Sequence, residues 1–419
     1  MKNGVFVLFI LAFFFSCNKT QNVEKEEGDG ETLILSPISD SDTACLSEMI
    51  DTIIYVALDC PKINGIIQAY YCNNRIIIND TREVLIFDSN GKLQHTIPLE
   101  RGSIDLLADS AFIYTYQFLD KRLSLYTFSG EKQWERKVKS KNEIGYMGYY
   151  FSVISDTTFV IANINTGGNL YRLSMINNLG GIIKNFNNDE KFTPEAGCYT
   201  TNSVWKRLLY RVNENVHFHP FWGDTVFLIQ NHQLQPIIIE HLVDKVPLQN
   251  RTEYKGWSTQ HFREYCQTEK KYATRFFETS RYIIVEYKLG SLINSISNYW
   301  IYDKQKKKLC RTYNDLENSL MNSNKLHLGI LNDYDGGLAF QPMHQTDDYL
   351  IMVDAGESQG GMYTNPSELY KNGRIIKGKM YSCRSDSYLD AEYQEKVSTF
   401  FEKEKNDNKT VLTIVRLRK

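Results

Sequence analysis

From residue 46 onward the chain sets short runs of β-branched and aromatic residues between clusters of Asn, Asp and Gly, the punctuation of strands and tight turns. The pattern is clearest in IIQAYYCNN, RIIINDT, EVLIFDSNGK and LQHTIPLE, four consecutive strand-like stretches between Ile66 and Glu100. Their third connection carries Asn90-Gly91, a pair with type I′ hairpin chemistry. One such sheet cannot cover both of its apolar faces, whereas a ring of similar sheets packed face to face can. The element LIFDSNGKLQ (Leu85 to Gln94) recurs as LYTFSGEKQW (Leu125 to Trp134), LSMINNLGGI (Leu173 to Ile182), FLIQNHQLQP (Phe227 to Pro236) and WIYDKQKKKL (Trp300 to Leu309). Its first three glycines, Gly91, Gly130 and Gly180, are 39 and 50 residues apart, bracketing a propeller blade of about 40 to 50 residues.

Five repeats leave DTIIYVAL near the start and DDYLIMVDA and TVLTIVRLR near the end, which together supply a sixth sheet. The expectation is therefore an all-β fold, a six-bladed β-propeller closed by N- and C-terminal strands that share one sheet. Thr252 to Thr274 and Ser387 to Lys405 space their apolar residues three or four apart among charges, and are expected as helical insertions on one rim.

Ahead of this body, residues 2–17 read KNGVFVLFILAFFFSC: one positive charge, an unbroken apolar run, then a small residue before a cysteine. The run from Val5 to Phe15 is too short for a hydrocarbon core that needs about 20 helical residues, so a cleaved signal peptide is expected rather than a membrane span. Ser16-Cys17 resembles the lipobox of bacterial lipoproteins, in which the cysteine carries the lipid. Asn18 to Glu31 holds one aliphatic residue, Val23, among polar and acidic ones, and reads as a tether. Its acidic residues suit either a surface-export signal or a plain solvated linker. The organisation expected is a signal peptide over 1–16, a lipidated cysteine and flexible tether over 17–45, and the propeller over 46–419.

Composition narrows the function classes. With 27 Tyr, 22 Phe and 42% hydrophobic residues the chain has ample core, and 48 basic against 50 acidic residues give no field that would attract a polyanion, which argues against nucleic acid. The eight cysteines show no C-x-x-C spacing and no Cys/His cluster, so no metal and no cofactor is expected. Cys45 and Cys60 flank the first strand-like stretch and could form a bridge in an exported protein.

The order of LSEMIDTIIYVALD (Leu46 to Asp59), FHPFWGDTVFLI (Phe218 to Ile229), LNDYDGGLAFQPM (Leu331 to Met343) and DNKTVLTIVRLRK (Asp407 to Lys419) resembles the six-bladed propeller lipoproteins of Bacteroidetes. The resemblance spans nearly the whole mature chain. It implies the propeller fold and an address in the cell envelope, lipid-anchored and at the outer membrane, on either its periplasmic or its surface side. It implies no general activity.

Candidate site residues follow from side-chain chemistry. His217 and His219, two apart, share one strand face and could hold a ligand, although Pro220 beyond them marks a strand end and no third metal ligand follows with clear spacing. Trp222 and Trp257 could stack on sugar rings or pack between blades. The acidic NDYDGG stretch around Asp333 and Asp335 lacks the bidentate Glu of a calcium loop. With no nucleophile elbow, zinc helix or phosphate loop, the leading reading is a binding propeller of the cell envelope that engages a glycan, peptide or partner protein. The alternative is a lyase or glycoside hydrolase working from the channel.

Overall fold

The computed structural model describes residues 32–419 apart from 39–41, 61–62, 64–67, 81, 100–103, 140–147, 164–169, 190–207, 221, 248–258, 290–296, 313–328, 331, 333, 335–339, 355–374, 377–378, 381–395, 398, 402, 405–406 and 408. Six small antiparallel sheets form the blades of a β-propeller. Blade 1 is the meander Gln68–Cys72, Arg75–Asn79, Glu83–Asp88 and Leu93–Pro98, counted from the axis outward. Blade 2 starts at Ile104–Ala108 and ends at Lys132–Lys137, and blade 3 starts at Gly148–Ser155 and ends at Ile182–Asn187. Blade 4 runs from Leu209–Val212 to Gln233–Glu240, and blade 5 from Tyr272–Glu278 to Lys308–Arg311.

Blade 6 joins the two ends of the chain. His344–Thr346 and Tyr349–Asp354 are followed outward by Val411–Leu417 and then by the early strand Ile50–Ala57, paired antiparallel from Val411↔Ala57 to Leu417↔Ile50. This is the closure expected from the sequence, and it removes the free edges a ring of sheets would otherwise keep.

The burial pattern explains why the strands read as apolar runs. The second and third strands of blade 1, RIIIN and EVLIFD, are buried along almost their whole length, because each sheet is covered on both faces by its neighbours. The outermost strand, LQHTIP, is almost entirely exposed. Ile76, Ile78 and Phe87 pack toward blade 6, and Ile77, Val84 and Ile86 toward blade 2. Each fully buried residue of this size contributes about 1.5–3 kcal/mol.

All five hairpins picked out by repetition are the third and fourth strands of blades 1 to 5. Their turn chemistry differs from expectation in blade 1. Gly91 has φ +84 whereas Asn90 is not among the residues of positive φ, and the pairing shifts register between Ile86 and Phe87. The Asp88 carboxylate accepts from the Asn90 and Lys92 amides, so the turn is built on an Asx cap with a glycine bulge rather than as type I′. Thr127 to Gly130 and Asn177 to Gly180 repeat the design. Paired positive φ values of the type I′ kind occur instead at Asn73-Asn74, Asn213-Glu214 and Asn231-His232.

Two further differences concern the early chain. Leu33–Leu35 pairs parallel with the outer strand of blade 4, and Asp42–Thr43 parallel with that of blade 5, so ring-forming chain begins inside the stretch expected to be tether. Cys60 is a free thiol while Cys45 is disulfide-bonded, so the Cys45–Cys60 bridge is not made and the partner of Cys45 is another cysteine. Of the two expected helical insertions, one contains the helix Thr259–Thr268 and the other has helical residues at 396–397, 399–401 and 403–404. No described helix is long and apolar enough to cross a membrane.

Candidate functional site

Alternation of strand direction sorts every connection onto one of two faces. One face carries the turns between first and second strands (73–74, 109–112, 156–157, 213–214, 279–281, 347–348) and between third and fourth strands (89–92, 127–131, 178–181, 231–232, 304–307). The other carries the strand ends that lead into the links between second and third strands and between blades, with the described residues of those links, among them 118–121, 222–224, 241–247 and 259–271. Both helical insertions fall in the second group, hence on one face. Leu119, on the short link 118–121, and Leu170 and Tyr334, on longer ones, are exposed on this face at 65%, 54% and 39%, whereas Leu179, in the turn 178–181, is exposed on the other at 63%.

Around the axis the innermost strands have no sheet partner on their channel side, which would leave backbone amides unsatisfied. Side chains from neighbouring blades supply the acceptors. Gln68 Oε1 takes the Leu106 amide at 2.7 Å, Asp105 Oδ2 the Phe151 amide at 2.6 Å, and Thr346 Oγ1 the Tyr71 amide at 3.2 Å. Gln345 Oε1 accepts from the Glu278 amide at 2.9 Å, and its Nε2 donates to the Glu278 carbonyl. The Gln68 amide also donates to Asp105. These bonds tie the innermost strands of neighbouring blades together.

His217 and His219 point, as their spacing predicts, to one side of their strand, toward blade 5. Neither ring is presented to solvent. His217 Nδ1 meets Glu278 Oε2 at 2.9 Å, and His219 packs against Phe276 with ring centroids 4.5 Å apart while Nε2 lies 3.1 Å from the Gly223 carbonyl. Trp222 is buried with Val246, Cys266 and Ala273 beneath the helix Thr259–Thr268. Trp257 and Cys17 lie outside the described residues. The structure therefore brings His217, His219 and Trp222 to the border of blades 4 and 5, as packed and hydrogen-bonded groups.

The residue that sequence reasoning missed is Glu278, the carboxylate around which this border is organised. Tyr210 donates its hydroxyl to Oε2 at 3.0 Å, and Lys304 Nζ reaches Oε1 at 2.7 Å. Burial alone would raise the Glu278 pKa, but His217 and Lys304 outweigh it and hold the carboxyl below the ordinary value of 4.5. The same burial and the adjacent carboxylate push Tyr210 well above its usual value, so its hydroxyl stays a donor. Glu240 shows the opposite balance, since burial raises its pKa and its ion pair with Lys245 does not restore it. On the other flank of blade 5, Arg275 joins Glu286 Oε2 at 2.6 Å and donates to the carbonyls of Pro342 and Met343, just ahead of blade 6. A Glu inside an apolar strand, as in YATRFFE, was the available signal; its partners come from blade 4 and from a distant turn of blade 5 and leave no local trace.

Burial pushes the free thiols of Cys72 and Cys266 up to about 12, and burial with nearby carboxylates takes Cys60 to about 11, which leaves them poor nucleophiles. Among the described residues no group of three His, Cys, Asp or Glu could hold a metal ion. What the described residues offer is a cross-braced frame, with Leu119, Leu170 and Tyr334 exposed on one face and Leu179 on the other.

No curated protein matches the chain. Among solved structures it is similar to a protein of Bacteroides fragilis NCTC 9343 described as exported, with TM-score 0.63 and 16% identity over 92% of this chain and 100% of that one. A member of the duf4221 family from Bacteroides vulgatus aligns at TM-score 0.41 and 11% identity over 63% of this chain and 86% of that one. The first likeness bears on the fold alone, and the second carries no argument. The model of the family described as Domain of unknown function (DUF4934) matches residues 32–379, and this chain belongs to that family.

Proposed function

We propose that this protein is an exported, lipid-anchored propeller of the cell envelope that binds a partner protein or peptide through the face carrying the long connections. The observation that carries the reading is the exposure of Leu119, Leu170 and Tyr334 on the face of a braced ring that lies opposite its tight turns. Export is supported by the leader-like start ending at Cys17 and by the disulfide on Cys45, which needs an oxidising compartment. The similar Bacteroides fragilis protein, described as exported, agrees with it. A glycan is the other ligand class such a surface could take, through aromatic stacking.

The test is capture from envelope extracts by the purified chain and by a Leu119→Ser, Leu170→Ser double variant. A partner retained by the first and lost by the second supports the reading. Equal capture by both, or turnover of a polysaccharide by the purified chain, overturns it.

A further inference from the structure

The innermost strands of the six blades line the axis, and each turn from a first to a second strand stands at the mouth of the channel on the tight face. Those turns bring Asp109 from blade 2, Asp156 from blade 3, Glu214 from blade 4 and the pair Asp347-Asp348 from blade 6 to one opening. Their positive counterpart is Arg211, on the innermost strand of blade 4 just ahead of its turn. Arg211 lies opposite Val216, which packs in the cluster shared with blade 3, so its side chain leaves blade 4 on that side.

Other cations of this face are already committed, Lys419 to Asp348 at 3.0 Å and Arg281 to Asp303 at 2.8 Å. Among the described residues the Arg211 guanidinium makes no ion pair or hydrogen bond, and neither does the Asp347 carboxylate. Asp347 is open to solvent, yet the protein around it raises its carboxyl above the ordinary value of 3.8, as in the wall of a concavity. Of the charges acting on it Arg211 is the largest, ahead of Asp348 and Asp109. Tyr114, in the second strand of blade 2, is within electrostatic reach of Asp109, Asp156 and Arg211 alike. Blades 2, 4 and 6 alternate around the ring, so a guanidinium from blade 4 that acts on groups of both others stands toward the axis. Asp109 is fixed in its turn by accepting from the Ala111 and Phe112 amides.

We propose that this mouth binds a small zwitterion of the α-amino acid type, its carboxylate on Arg211 and its ammonium between Asp109 and Asp347. A guanidinium presents a planar fork that matches a carboxylate, and the two acidic turns supply acceptors for an ammonium. A carboxylate alone would meet Arg211 but also the opposing carboxylates, and an ammonium alone would leave Arg211 without a partner. Because carboxylates outnumber guanidinium groups at the opening, a basic amino acid binds more tightly than a neutral one, and an acidic one least. The site is on the face opposite the one proposed to hold a partner protein, so either reading can fail without the other.

Equilibrium titration of the purified chain with L-lysine, L-alanine, L-glutamate, acetate and methylamine tests it. The expected order of affinity is lysine, alanine, glutamate, with acetate and methylamine each about tenfold or more weaker than alanine. Arg211→Met and Asp347→Asn are each expected to weaken lysine and alanine binding about tenfold or more. Arg211 has no ion pair to lose, and asparagine tolerates the φ of +46 that Asp347 adopts, so both variants are expected to fold. Should Arg211→Met fail to fold, Asp347→Asn carries the test. No saturable binding of any probe, acetate bound as tightly as alanine, glutamate bound more tightly than lysine, or affinities unmoved by the substitutions would overturn the proposal.

Discussion

The tight turns of one face and the long links of the other are made by the same six blades, yet they obey different constraints. On the tight face the turns press on neighbouring blades: a Cβ on Gly91 would lie 2.3 Å from the Ala57 carbonyl oxygen, and one on Gly180 2.2 Å from that of Lys137. Lys304, in the blade 5 turn, reaches into the Glu278 cluster, and Arg281 forks onto Asp303 from the turn before it. On the opposite face, by contrast, Leu119 and Leu170 stand exposed on links of neighbouring blades. Gly91, Gly180 and Lys304 on the tight face are thus held by geometry shared between blades, whereas Leu119 and Leu170 on the long face are exposed.

The sharpest way to break this contrast is to remove its central charge. Glu278→Ala leaves Lys304 and His217 without their buried partner and is expected to cost about 3–5 kcal/mol, measured by chemical denaturation. Because the folded carboxyl titrates below its ordinary value of 4.5, its contribution is complete above that value and is lost as pH falls further through the folded pKa. Stability followed from pH 6 downward should therefore decline in the parent and lack this component in Glu278→Gln.

Gly180→Ala, which meets backbone and must also hold φ +79, is expected to cost about 2–3 kcal/mol. Gly130→Ala shares the positive φ but meets nothing nearer than Ile97 Cγ1 at 3.6 Å, so about 1 kcal/mol is expected. Equal losses at the two glycines would show that contact between blades is not what distinguishes this face. The smallest effect belongs to the other side, where Leu119→Ser with Leu170→Ser should change stability by no more than about 0.5 kcal/mol while abolishing partner capture.

The frame was more legible in the sequence than the site. Three of the five outer hairpins announce themselves because a turn residue that caps its own backbone, Asp88, Thr127 or Asn177, is followed by a glycine. Blade 6 was readable as an end-to-end sheet because its strands are long and apolar. The added strands Leu33–Leu35 and Asp42–Thr43 were not, since two or three residues carry no periodicity and their pairing partners lie about 200 residues and more downstream. At the border of blades 4 and 5, spacing put His217 and His219 on one face correctly. Their environment is decided by Glu278, Phe276 and Lys304 from the next blade, and no local pattern encodes that.

The pairing of Ile50 with Leu417 also sets the order in which the molecule can be finished. The four-stranded meanders of blades 1 to 5 are each contiguous in the chain and can form as they emerge, but the sheet that locks the ring waits for the final strand to arrive. Until then Ile50–Ala57 has no neighbour, and two blade faces stand uncovered at the gap. Maturation is therefore an all-or-nothing event at the C terminus, and a chain ending before Val411 would carry five sound blades and still fail to close.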